Sequence, residues 1–182
     1  MAKPRTIVSN ARVDLPDDLS AEIGRIIVRW ATFEHLLQRI VTRLIGVTDA
    51  VARLAVREPR AIDRISLIRD LIELQTVKTD AESFKKFRAR AEANGLIRDL
   101  LAHGIWFFED GLWHIMYARG MYPVEDRGTQ HPNRRVSPEA RIVTLEEAQK
   151  VTMEINALLM SAEQLQQSLF SESTSNNISP SR

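Results

Sequence analysis

Cysteine is absent from the 182-residue chain, and that excludes disulfides, thiolate metal sites and cysteine nucleophiles. The lack of thiols fits a reducing compartment without requiring one. Glycine is sparse, with seven residues in all, and none of them builds a glycine-rich phosphate loop. Lysine is scarcer still: of the 25 basic residues five are lysine and 20 arginine. Arginine favours bidentate grips on carboxylate or phosphate, so the bias suits anion recognition. A GC-rich coding sequence would produce the same bias. No window approaches the run of about 18 apolar residues that a membrane helix needs. The start, MAKPRTIVSN, has no apolar centre and predicts no signal peptide. The expectation is a soluble, cytoplasmic protein. Charge of neither sign dominates: 25 cations face 24 anions, for a net +1.

What is present is an ordinary globular composition, 44% hydrophobic and 27% charged. The length suits one domain, and a chain of this size buries roughly two-thirds of its unfolded surface without covalent staples. Residues 1–18 read as a polar lead-in, with Asp17, Asp18 and Ser20 as candidate helix caps. Ile23, Ile26, Ile27, Trp30, Phe33, Leu37, Ile40, Val41 and Leu44 then recur at spacings of three and four, predicting a long amphipathic helix ended by Gly46. A short helix is expected over 49–56, until Pro59, and another from Ile62 to about Thr76. Asp80 can cap a further long helix carrying Phe84, Phe87, Ala91, Leu96, Leu100 and Leu101. Within it, Asn94-Gly95 marks a kink or a close approach between helices, because glycine in mid-helix costs about 1 kcal/mol relative to alanine.

The period changes after Gly104. Ile105–Glu109 and Leu112–Tyr117 around Asp110-Gly111 read as a β-hairpin. Residues 119–141 are irregular, with RIVT at 141–144 as a candidate third strand. Thr144 and Glu147 form a capping box for a last helix carrying Val151, Ile155, Leu158, Ala162 and Leu165. The tail, 171–182, has the composition of a disordered segment. The predicted fold is mainly α: a bundle of four to five helices over 19–170, with a small β-hairpin and its loop, about 105–143, inserted before the last helix.

Catalytic vocabulary is thin. There are four histidines, no H-E-x-x-H and no His cluster at metal spacing, so neither a metal nor another cofactor is expected. Acidic pairs such as Asp17-Asp18 and Glu146-Glu147 sit at helix starts, where the helix dipole accounts for them. The informative segment is Arg98-Asp99-Leu100-Leu101-Ala102-His103-Gly104. Spacing alone is weak, since this composition yields about 0.4 Arg-x4-His matches by chance. A decoy with one more intervening residue, Arg29 to His35, has Trp30 after the arginine, whereas Arg98 is followed by the polar Asp99 at the end of a long helix.

This segment resembles the R-(polar)-x-x-x-H motif of the HEPN superfamily. The wider likeness takes in Trp30-x-x-x-Glu34 on the first helix and Ala102-His103-Gly104-x-Trp106, a pattern similar to bacterial HEPN-like proteins. The resemblance implies a homodimer in which the arginine and histidine meet as one composite, metal-independent ribonuclease site. Arg98, Asp99 and His103 are its implied catalytic residues. It further implies RNA as substrate, a toxin or phage-defence role, and a separate antitoxin or regulator protein. In toxin members controlled by nucleotidylation a tyrosine stands two residues after the histidine; here that position is Ile105, which puts that control in doubt.

The residues permit this chemistry. Asp99 and His103, at i and i+4, share a helix face, so Asp99 could accept a hydrogen bond and fix the imidazole tautomer. Arg98 lies about 140° around the helix from His103, which favours a site shared between two protomers. Imidazole suits general acid–base work near neutral pH, and a guanidinium can hold a phosphate bidentately. Lys85, Lys86, Arg88 and Arg90 with Arg98, against the single Glu92, make a basic stretch that could attract RNA or simply form a solvated helix face. Trp106, Phe107, Phe108, Trp113 and Tyr117 could stack bases, although packing on the bundle is the commoner role of such a hairpin. His114 is expected to be a half-exposed strand residue. His131, with Arg134 and Arg135, sits in a loop that either touches RNA or is merely solvated.

Overall fold

The computed structural model describes residues 14–48, 50–51, 60–75, 80–116 and 140–171. Four helices occur among them: α1 (Asp17–Ile45), α2 (Ala61–Leu74), α3 (Ala81–His103) and α4 (Leu145–Ser171). Between α3 and α4 lies a small antiparallel sheet of β1 (Ile105–Glu109), β2 (Leu112–Met116) and β3 (Ala140–Ile142), in that order. The fold is therefore mainly α, with the hairpin inserted before the last helix. The short helix expected over 49–56 falls, apart from the helical Ala50 and Val51, outside the described residues, as do Tyr117, His131 and the tail after Ser171.

The apolar spacing of α1 becomes the spine of the core. Ile26, Phe33, Leu37, Ile40 and Val41 are fully buried, joined by Ile65 and Ile68 of α2 and Ile155 and Leu158 of α4. Each such side chain contributes about 1.5–3 kcal/mol on leaving water. Helix α1 begins directly after Pro16 and has no side-chain cap. Asp17 and Asp18, expected as caps with Ser20, lie instead inside its first turn, where their charge faces the positive end of the helix dipole. Proline, with φ already near its helical value, opens the helix, and the Asp18 carboxylate accepts from the Leu19 amide at 2.8 Å within the first turn. At the far end Gly46 adopts the left-handed conformation (φ 72°), as a terminating glycine should.

Helices α1 and α4 run in the same direction. Near their starts the Thr152 hydroxyl donates to the buried Glu22 carboxylate, and near their ends the Arg43 guanidinium lies 3.8 Å over the Phe170 ring. Helix α3 runs against α4, joined by an Arg90–Glu154 ion pair of 3.0 Å. Asp80 caps α3 as expected, accepting from the Glu82 amide at 3.1 Å and from the Ser83 hydroxyl at 2.6 Å. Helix α2 packs along the second half of α1, where Arg64 donates to Gln38 and the Gln75 amide to the Leu44 carbonyl.

The hairpin turns on Asp110 (φ 52°) and Gly111 (φ 78°), the backbone signature of the Asp-Gly turn. Trp106 pairs with Ile115 and Phe108 with Trp113, so these four share one face of the sheet. Ile115 is fully buried in the main core, with Trp106 and Trp113 packed beside it. Phe107 pairs with His114 on the opposite face, their rings stacked at 5.1 Å. The third strand spans 140–142, and Thr144 with Glu147 closes the expected capping box on α4, at 3.0 and 3.2 Å.

Candidate functional site

The motif occupies the last turn of α3 and the step into β1. His103 is the final helical residue, and its side chain is exposed. It has no hydrogen bond or ion pair among the described residues. Gly104 follows in an extended conformation, and its amide caps the helix by donating to the Leu100 carbonyl at 2.8 Å. A Cβ at this position would stand 2.5 Å from Ile115 Cγ1 and 2.6 Å from the Leu100 carbonyl oxygen. The residue after the histidine must therefore be small, because β2 is seated directly against the end of α3.

Arg98 lies one turn earlier and is held at the junction of α1 and α3. Its Nη1 is 2.8 Å from Asp99 Oδ1, and its Nη2 is 3.5 Å from Glu34 Oε1. The same Glu34 oxygen accepts a hydrogen bond of 3.0 Å from the Trp30 indole. The guanidinium carbon lies 5.4 Å from the Trp30 ring centroid, within cation–π range. The Arg98 Nε is buried without a hydrogen-bond partner among the described residues. Gly95 lets α3 come close to Trp30: an added Cβ would meet the ring at 3.1 Å. The expected close approach at Asn94-Gly95 is thus the contact of α3 with Trp30. Asn94 itself is buried, its amide donating to the Arg90 carbonyl at 2.9 Å.

Asp99 engages Arg98 rather than His103, contrary to the role that their shared helix face suggested. The guanidinium of its sequence neighbour, 2.8 Å away and permanently charged, takes the carboxylate instead. Arg98 and His103 of one chain point in different directions around α3, as the helical angle requires.

The residues of the basic stretch differ in burial and in their partners. Lys85 and Lys86 are exposed, while Arg88 and Arg90 are half-buried. Lys86 and Arg90 line a groove of about 490 Å³ between α3 and α4, floored by Phe84, Phe87 and Leu165. Glu82 lies 3.8 Å from Lys86 and Glu154 lies 3.0 Å from Arg90, so carboxylates already answer both cations. His114 is half-buried, and its Nε2 lies 3.3 Å from the Glu109 carbonyl. Among the described hairpin aromatics, Phe108 is the one left largely exposed.

No family model, characterised protein or solved structure matches this chain. The case for function rests on the site itself. Among the described residues no cluster of three His, Asp or Glu side chains is arranged to hold a metal ion, and no helix is long and apolar enough to cross a membrane. Glu34 and Trp30 join the motif in space, yet reading the motif segment alone assigns neither a place beside Arg98. The signal available was the Trp30-x-x-x-Glu34 spacing, which puts both on one face of α1.

Proposed function

We propose that this protein is a metal-independent endoribonuclease of HEPN type, with a composite site at a homodimer interface. The observation that carries the proposal is a half-buried Arg98 held in place at the α1–α3 junction, little more than one turn before a His103 that is exposed and has no hydrogen bond or ion pair among the described residues. The RNA 2′-oxygen attacks the adjacent phosphorus as the bond from phosphorus to the 5′-oxygen breaks. His103 takes the 2′ proton or delivers one to the leaving 5′-oxygen, and Arg98 stabilises the charge gathering on the phosphate. The products are a 2′,3′-cyclic phosphate and a 5′-hydroxyl, so DNA is not a substrate. The reading extends to a cytoplasmic toxin or phage-defence component restrained by a separate antitoxin or regulator.

One observation favours a second reading. Arg98 is engaged by two carboxylates, as a residue that only ties α1 to α3 would be. On that reading the chain is a non-catalytic HEPN-like dimer that binds nucleotide, RNA or a protein. Incubating the purified protein with mixed RNA in EDTA separates the two, beside His103→Ala and Arg98→Ala variants of equal fold. The ribonuclease reading expects cleavage with cyclic phosphate ends, lost in both variants. Absence of cleavage by the wild type moves the assignment to the binding reading, and cleavage surviving in both variants overturns the site.

A further inference from the structure

The contacts of Arg98 differ in how easily they can be given up. Its Nε is buried and its Nη2 faces Glu34 across the α1–α3 junction, where Glu34 is itself held by the Trp30 indole. The remaining terminal nitrogen, Nη1, is taken by Asp99. Exposure orders the three side chains in the same sense: Arg98 is 21% exposed, Glu34 28% and Asp99 40%. Asp99 is also the sequence neighbour of Arg98, and adjacent helical residues do not face one another, so the pair closes only by bending two side chains together. Such half-exposed pairs are weak. A carboxylate and a phosphate present similar oxygen geometry to a guanidinium.

We infer that Asp99 is a displaceable stand-in for phosphate on Arg98, and that Glu34, anchored by Trp30, is the positioning residue that keeps the guanidinium in place when Asp99 gives way. The inference rests on the reading that Arg98 takes an RNA phosphate. It assigns opposite signs to two carboxylates touching the same arginine: removing the charge of Asp99 favours the phosphate, and removing that of Glu34 disfavours it. A purely structural network would make both losses unfavourable.

The test uses the full-length protein and a fluorescein-labelled 2′-O-methyl oligoribonucleotide, which keeps the phosphates but has no nucleophile and cannot be cut. Anisotropy titrations at several salt concentrations are made for wild type, Asp99→Asn, Glu34→Gln and Arg98→Ala, with thermal melts reporting fold. D99N is expected to tighten binding by about two- to fivefold, the range of one exposed ion pair released. E34Q is expected to weaken binding by a similar factor. It should also lower the salt slope toward that of R98A, which loses about 0.7 for one single-strand phosphate contact. Loss of stability alone does not alter that slope. Should E34Q melt below the assay temperature, Trp30→Phe, which deletes the indole donor to Glu34, is expected to weaken binding in the same sense.

Binding by D99N that is equal to or weaker than wild type overturns the stand-in role, and an E34Q slope unchanged from wild type overturns the positioning role. If R98A binds as wild type with the same slope, or the wild type does not bind, the phosphate reading of Arg98 falls and this inference falls with it. Weakened R98A beside unchanged D99N defeats the inference alone.

Discussion

Gly95 within α3 and Gly104 just after it have opposite reasons for being there, and substitution separates them. Gly104→Ala drives a Cβ against a carbonyl oxygen and the Ile115 side chain at 2.5–2.6 Å. Overpacking of this kind is expected to cost about 1–3 kcal/mol. Gly95→Ala meets only the edge of the Trp30 ring at 3.1 Å, and alanine's helix propensity returns about 1 kcal/mol. Urea denaturation should find G104A clearly destabilised and G95A near wild type; equal stabilities would refute this account of the helix–strand junction. Glu22 supplies a pH test. The Thr152 hydroxyl, with Arg25 and Arg29, outweighs burial and holds its carboxyl below the ordinary 4.5. A depressed folded-state value adds stability that is present above the unfolded value and lost as pH falls through the folded one. Stability measured from about pH 6 to pH 3 should therefore fall less steeply in Glu22→Gln than in wild type; parallel curves would show that Glu22 contributes no proton linkage. The chain legibly offers Arg98, Asp99 and His103 as a local motif, but not the pairing of Arg98 with Glu34. Those two residues are 64 positions apart, and only the packing of α3 over Trp30 joins them. The Asp99 contact with its neighbour Arg98 was missed for another reason: helical spacing places His103, not Arg98, on the face of Asp99.

Helices and turns were more readable than contacts, since they are written in local chemistry. The three-and-four spacing of α1, the Asp80 cap of α3, the Asp110-Gly111 turn and the Thr144–Glu147 box each stand in the chain where the structure has them. The start of α1 was not legible, because three capping residues follow a proline that itself opens the helix. The ion pair of Arg90 was hidden too, for it depends on Glu154 reaching it from another helix. Asp80→Ala should remove two hydrogen bonds at the start of α3 and cost about 1 kcal/mol. Thr144→Ala should cost a similar amount at α4 through loss of its reciprocal box, about 1 kcal/mol. Thermal or urea unfolding checks both, and wild-type stability in either would mean that the cap is not engaged in solution. In the hairpin, alternation put Trp106 and Trp113 together on the bundle face, which leaves Phe108 at the tip as the exposed aromatic.

A single chain does not complete the proposed site. Arg98 and His103 stand about 140° apart around α3, and α3 stays helical through His103, with the Gly104 amide donating to the Leu100 carbonyl. The proposed two-fold dimer would resolve this by letting each histidine meet the other protomer's arginine. The most direct measurement is complementation between two inactive variants. Arg98→Ala and His103→Ala proteins are mixed, unfolded and refolded together, and then assayed for RNA cleavage in EDTA. Random reassortment makes about half the dimers mixed, each with one intact composite site, so about a quarter of wild-type activity should return. Activity that stays at the level of the separate variants would contradict a site shared between protomers.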